Sequence, residues 1–511
     1  MGRMTNTVNN IKYSFLSQIV SLLLKFVSRT VFLKTLGVAY SGVSGLYSNV
    51  LGILALSEMG FSSAMTFALY KPMADNDTEK LQSLMGLYKK FYRIVAVVIA
   101  VLGICLVPFL PNIIKGGEEI GFDKLTIYYL ISLLDTVLSY FVSYKYSMVY
   151  AEQKGYIHTR ISTIFNTALV VLQIIGLLLF KNYVIYLCLS VVVGLIQKFY
   201  LNNYLNKRYP FLKAKRCKPL ASSDVKDIKK NVKALVLHNV GAKCIYQTDN
   251  IIISAFISIV ITGCVSYYLM VIHAVNSFIN TVLTSAVSSI GNVIATESKK
   301  KQKDIIDKYV FITLYLSGFA AVGFSTLLSP FVELLWGSEL VLGNSVVLLL
   351  VMSVYITFQL DGINIIKTAA GIFDEDKFVP IVQAIINIVV SILLARHIGL
   401  AGVYIGTIVQ AIVALIWKSI ITYKVMFKSS IYRYIGQQIY HFILVIISTA
   451  LCLVIRKWLF VNGVNIWNFA IMTVFVVVIP NMIFILGSRN KKEMKFVFDI
   501  LKKRGKKCTH I

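Results

Sequence analysis

The chain reads as an all-α polytopic membrane protein of about fourteen transmembrane helices, and three observations predict it. Hydrophobic residues make up 57% of its 511 residues and charged ones only 14%. The apolar residues fall in runs of about twenty, the length a helix needs to cross roughly 30 Å of hydrocarbon. Lys and Arg, 51 against 23 Asp and Glu, gather in alternate connections. That is the positive-inside pattern of a chain with both termini in the cytoplasm.

The composition also excludes several classes. A net charge of +28 suits a nucleic-acid binder, but the charge sits in loops and helix ends on one side, where it meets anionic lipid headgroups. The seven cysteines, from Cys105 to Cys508, lie mostly in apolar runs and form no CxxC, so neither a disulfide framework nor a zinc site is expected. The first apolar segment continues into a long helix without a small-residue cleavage site, so no signal peptide is read there. No GxxxxGK[ST], HExxH or G-x-S-x-G occurs. A carrier with no bond-making apparatus, no cofactor and no metal is the expectation.

In order, helices are expected near 11–36, 43–70, 87–111, 124–150, 161–180, 183–206, 232–257, 263–296, 305–328, 345–370, 378–396, 400–424, 436–457 and 464–487. Segment 82–93 reads as an interfacial lead-in, with Lys89, Lys90 and Arg93 at the headgroups. The prolines and basic run of 207–231 mark a cytoplasmic connector. The lobes are therefore placed at 1–206 and 232–427, followed by two extra helices in 428–487 and a basic tail, 488–511.

Across the connector the pattern begins again. Gln18, Arg29, Gly42, Tyr47, Tyr88, Asn166 and Tyr183 are matched 221 residues later by Asn239, Asn250, Gly263, Tyr268, Tyr309, Asn387 and Tyr404. One residue more relates Lys145 to Lys367 and Pro108-Phe109 to Pro330-Phe331. Two six-helix repeats are a usual construction of secondary transporters. An even helix number puts both repeats on the same side at their start, which implies an axis along the membrane normal with the substrate path along it.

The polar residues inside the apolar runs are the candidate site. Lys25 and Arg29 stand one turn apart on the first helix, with Gln18, Ser21 and Ser28 on the same side. A cation at the bilayer centre costs about 2.5–3.5 kcal/mol on insertion scales, so it is expected to face a partner or a watery cavity. Two cations on one face suit a phosphate, with Arg as the better fork. Helix 7 repeats the stripe with Asn239, Lys243, Gln247 and Asn250; helix 8 adds Asn280 and helix 10 adds Asp361, Asn364 and Lys367. Lys25, Arg29, Lys243, Asn250, Asn280 and Lys367 are the candidate substrate ligands. Glu58, Asp135, Asp249 and Asp361 either couple transport to a cation or pair with these bases. Asp374-Glu375-Asp376 reads as a solvated loop turn.

Arg29 followed by Leu36-Gly37, then Glu58-Met59-Gly60 and Leu69-Tyr70-Lys71-Pro72, resembles the amino-terminal pattern of Wzx-type polysaccharide repeat-unit flippases. Ala370-Gly371-Ile372-Phe373 resembles the same family's second half. These belong to the multidrug/oligosaccharidyl-lipid/polysaccharide exporter (MOP) superfamily, and the resemblance covers about residues 11–487. Met59 departs from the leucine expected in the glutamate motif. The resemblance implies a two-lobed flippase of the bacterial plasma membrane. It would move an undecaprenyl-pyrophosphate-linked oligosaccharide for capsule, exopolysaccharide or O-antigen assembly, alongside a polymerase and other assembly proteins. Lys25 and Arg29 would bind pyrophosphate or acidic sugar. Two alternatives within the superfamily remain: a cation-coupled multidrug antiporter working through Glu58 and Asp135, and a lipid II flippase. A membrane-embedded glycosyltransferase is disfavoured by the lack of a large polar outer loop.

Overall fold

A computed structural model describes the chain except residues 1–2, 56–60, 214–219, 221–227, 229–246, 373 and 497–511; the side chains of 3–8, 11, 63 and 213 also fall outside the description. Among the described residues every regular element is helical, and twelve segments are long and apolar enough to span a bilayer. The all-α polytopic expectation holds. The other two expected spans, near 43–70 and 232–257, run into residues outside the description, as do most of the 207–231 connector and the end of the basic tail.

The chain divides into two compact units, Met1–Gly263 and Cys264–Ile511. Unit 1 comprises α1 (Arg3–Leu36), α2 (Val38–Leu54), α3 (Phe61–Ala74), α4 (Thr78–Leu106), the single turn α5 (Leu110–Ile113), α6 (Phe122–Ser143), α7 (Tyr146–Ala151), α8 (Tyr156–Phe180) and α9 (Tyr183–Arg208). A helical stretch over 247–256 and the first turn of α10 (Ile259–Ser285) complete it. Unit 2 holds the rest of α10, then α11 (Val287–Thr296), α12 (Lys299–Trp336), α13 (Asn344–Ala370), α14 (Val379–Ile398), α15 (Leu400–Phe427), α16 (Tyr432–Leu459) and α17 (Ile466–Ser488).

Local chemistry sets the breaks. Gly37 adopts φ 90°, a left-handed conformation that costs glycine little, and separates α1 from α2. Asp77 caps α4 by accepting from the Lys80 N–H at 2.9 Å. The expected interfacial lead-in over 82–93 proves continuous with the span that follows, since α4 begins at Thr78. Around the start of α12, Lys301–Glu297 and Lys308–Asp304, both at 2.6 Å and spaced i, i+4, support helix in an otherwise polar stretch.

In unit 1, α1 packs on α8, α8 on α9, and α6 on both α4 and α9. The tight α7–α8 turn is clamped to the end of α9: Glu152 accepts from the Arg208 guanidinium at 2.8 Å and from the Tyr209 hydroxyl at 2.6 Å. In unit 2, α15 packs on α13 and α14, while α16 and α17 pack on α12. Large apolar side chains left exposed on α8, α9, α14, α16 and α17, among them Leu179, Phe199, Ile385, Val454 and Val474, form the lipid-facing surface. Exposed Trp458 and Trp467, at adjoining ends of α16 and α17, mark one membrane interface.

Element starts follow the spacing read from the sequence. α2 begins at Val38 and α10 at Ile259, α4 at Thr78 and α12 at Lys299, each pair 221 residues apart. The matched tyrosines do matching work. Tyr47 is buried and donates to the Leu125 carbonyl at 2.8 Å, pinning the first turn of α6. Tyr268, also buried, donates to Ser329 Oγ and accepts from the Leu342 N–H, both at 3.1 Å, just ahead of α13. Tyr268→Phe strands that buried N–H and is expected to cost about 1–3 kcal/mol, whereas Tyr47→Phe leaves a helical carbonyl its ladder partner and costs about 1 kcal/mol. Unfolding of each variant in mixed micelles checks the order.

Unit 1 also contains a reciprocal contact. A Cβ on Gly42 would sit 2.0 Å from the Ile259 carbonyl oxygen, and one on Gly263 would sit 2.3 Å from the Val38 carbonyl oxygen. Val38 and Ile259, like Gly42 and Gly263, are 221 residues apart. Each helix thus presents the same residues to the other, the signature of a local two-fold contact, and only glycine permits backbones this close.

Candidate functional site

On α1 the polar stripe divides. Lys25 is exposed, while Arg29 is half-buried one turn further along. Arg29 Nη2 donates to the Ser41 carbonyl at 3.1 Å, across the Gly37 break, and its guanidinium lies 5.5 Å from the Phe32 ring centre. Around Phe32 stand Tyr183 and Tyr186 in edge-on contact, and Tyr40 and Tyr128 pack on Tyr183. An aromatic cage suits a delocalised guanidinium. The Ser41 carbonyl sits at the first turn of α2, so the same arginine ties α1 to α2.

The second stripe of unit 1 is described from Gln247 onward; Lys243 and Asn239 lie outside the described residues, and so does Glu58. Gln247 packs against Gly52 of α2, where a Cβ would come within 2.4 Å of its Nε2. Asn250 is buried with an Oδ1 that accepts no hydrogen bond among the described residues. Asp249 beside it is half-buried. Ser254 fixes the stretch by donating to the Ile113 carbonyl at 2.7 Å, and Ile259 N–H donates to the Lys115 carbonyl at 2.9 Å. Asp135 of α6 pairs with Lys198 of α9 at 3.3 Å, and both groups face Gly194, whose missing side chain leaves room for the pair.

In unit 2, Asn280 of α10 is half-buried, and its carbonyl accepts from Thr284. Asp361, Asn364 and Lys367 share one face of α13. Asn364 Oδ1 accepts from Lys418 Nζ of α15 at 3.0 Å, and Asp361 faces the same ammonium. Lys418 is 5% exposed and stands outside the candidates read from the sequence. Its position six residues inside the expected helix 400–424 was the available signal. Lys367 is buried and ion-paired with Asp376, also buried. This corrects the solvated-turn reading for Asp376, although Asp374 and Glu375 are exposed as expected. Gly371, at φ 71°, reverses the chain after α13 and lets Ile372 N–H bond the Lys367 carbonyl at 3.1 Å. That turn carries Asp376 back onto the lysine.

The candidates therefore fall into three arrangements: Lys25 and Arg29 on α1, a polar stretch led by Asn250, and an Asp361–Asn364–Lys418 cluster beside the Lys367–Asp376 pair. Three of the four intramembrane carboxylates are described, and two of them, Asp135 and Asp361, face a lysine of their own unit.

Twelve helices long and apolar enough to span a bilayer make this a multi-pass membrane protein, and its fold is similar to that of solved transporters. It is similar to the lipid II flippase MurJ in an inward closed conformation, at a TM-score of 0.62 and 14% identity over 95% of this chain and 99% of that one. An inward-facing multidrug-resistance MATE transporter of the MOP superfamily gives a TM-score of 0.62 at 15% identity, over 80% of this chain and 96% of that one. A mutant of the Vibrio cholerae MATE transporter VcmN gives 0.55 at 14% identity, over 84% and 99%. No family model and no curated protein matches the sequence.

Proposed function

We propose that the chain is a flippase of the bacterial plasma membrane, with both termini cytoplasmic. Its substrate is an undecaprenyl-pyrophosphate-linked oligosaccharide repeat unit for capsule, exopolysaccharide or O-antigen assembly. It works by alternating access and makes no bond. The observation that carries the reading is the extent of likeness: the lipid II flippase matches over 95% of the chain, the MATE transporters over 80–84%. The difference is of the size of α16–α17, the pair outside the six-helix repeats. That nearly full-length likeness supports a flippase of lipid-linked saccharides over a drug antiporter.

Within this reading Lys25 and Arg29 bind the pyrophosphate, while Asn250 and Asn280 supply neutral donors to the saccharide. Lys243 and Glu58 are proposed on the sequence alone. Asp135 and Asp361 set the charge of their surroundings by pairing, and Asp249 is proposed for coupling or pairing on the sequence alone. The same likeness favours lipid II itself as the second reading, because MurJ carries that name.

The test is accumulation of lipid-linked oligosaccharide in a deletion strain, resolved by leaflet. Build-up in the inner leaflet, cleared by the intact gene and not by Lys25→Gln, is the expected outcome. Lys25 is exposed, so protein levels stay normal, and losing a charge-assisted bond of about 1.5–3 kcal/mol weakens substrate binding roughly ten- to a hundredfold. Clearance by Lys25→Gln at the full rate removes this residue from the site. Cell lysis on depletion with lipid II as the accumulating species selects the second reading.

A further inference from the structure

Unit 1 carries a basic cavity away from the α1 stripe. It has a volume of about 600 Å³ and opens among α4, α6 and α9, at the end where α6 turns into α7. Lys89 enters it from α4, Lys145 from the α6–α7 turn and Lys198 from α9. Lys145 is 6% exposed and donates to Asn202 Oδ1 at 2.5 Å and to Asn206 Oδ1 at 2.7 Å. Both acceptors are neutral amides. Among the described residues no carboxylate pairs with Lys145 or Lys89, while Lys198 has Asp135 at 3.3 Å. Burial pushes the Lys145 ammonium down to about 8, and the charge of Lys89 pushes it the same way. The cavity holds positive charge that the described residues leave uncompensated.

Its remaining wall is apolar and faces outward. Phe141, Leu195 and Phe199 line the opening and are 49%, 43% and 69% exposed, on the lipid-facing side of α6 and α9. An anion that fills this site meets ammonium groups at its head and hydrocarbon at its flank. A helix-end lysine level with headgroups is where such an anion resides.

We propose that this cavity binds the phosphate headgroup of a membrane lipid, between Lys89, Lys145 and Lys198, with the acyl chains against Phe141, Leu195 and Phe199. The site lies within one unit and does not depend on the transport reading. Its ligand is an anionic phosphodiester held in the bilayer, distinct from a phosphate arriving from solution.

The experiment uses the full chain in nanodiscs and reads acetylation of Lys145 near pH 8 by peptide mass spectrometry. Nanodiscs containing phosphatidylglycerol are expected to slow Lys145 labelling at least fivefold relative to phosphatidylcholine, whose phosphate already has a cationic partner. Inorganic phosphate at 10 mM with phosphatidylcholine nanodiscs is expected to leave labelling unchanged. Native mass spectrometry of Lys89→Gln, an exposed position that leaves the fold intact, is expected to show a severalfold loss of retained phosphatidylglycerol. Equal protection by inorganic phosphate overturns the proposal in favour of a soluble anion. Equal labelling in both lipids, or full lipid retention by Lys89→Gln, also overturns it.

Discussion

Gly42→Ala is expected to lose most of the folded protein, and Gly42→Leu all of it. The added methyl would stand 2.0 Å from a backbone oxygen of Ile259, and the Gly42 Cβ position is also 3.0 Å from the Gly263 nitrogen. Neither obstacle is a side chain that can rotate away. Overpacking a tight core costs about 1–3 kcal/mol when side chains can adjust, and here two helix backbones must separate instead. Size-exclusion of a fluorescent fusion, followed by melting in detergent, reads the effect. Gly263→Ala is expected to behave alike, since its methyl would meet the Val38 carbonyl at 2.3 Å. Gly436 of α16 supplies the control: nothing lies within 4 Å of its Cβ position. Alanine there gains helix propensity worth roughly 0.5–1 kcal/mol, so Gly436→Ala melts higher. A Gly42→Ala protein as stable as the parent would refute the close crossing.

The second large effect is Lys367→Met. Lys367 and Asp376 bury 97% and all of their side-chain surfaces respectively; the lysine bonds Asp376 Oδ2, and Oδ1 has no hydrogen-bond partner among the described residues. Removing the lysine leaves a carboxylate without its counter-charge in a dry setting, a loss of about 3–5 kcal/mol. Lys367→Met/Asp376→Leu is expected to recover most of it, because an apolar pair of similar volume needs no charge burial. Reversible unfolding in mixed micelles gives both numbers. A single variant that loses under about 1 kcal/mol would mean the pair is solvated.

The fold was legible because its period is physical: helical spans must be about twenty apolar residues long, and basic residues stay out of the bilayer. The 221-residue spacing was legible for the same reason, since Tyr47 and Tyr268 need a buried hydroxyl partner in each copy. Partners chosen by tertiary folding were not. Arg29 and Lys25 lie four apart in sequence, but the Arg29 contact with Ser41 depends on how Gly37 turns the chain. Asp376 looks like solvated punctuation beside Asp374 and Glu375 until the Gly371 turn folds it under α13. Lys418 is separated from Asn364 by 54 residues, and only the packing of α15 on α13 brings them together. Gly42 and Gly263 were visible as equivalents, while their touching each other was not.

The position of the unit boundary has a consequence for biosynthesis. Val38 and Gly42 wait for Ile259 and Gly263, and the Ile113 and Lys115 carbonyls wait for Ser254 and Ile259. At about 5–20 residues per second, the ribosome needs on the order of ten to forty seconds to supply the missing partners. During that interval the nascent α2 has an open glycine face, held by lipid or by the insertion machinery. The first unit is sealed by a segment that leaves the ribosome only as the second begins to emerge.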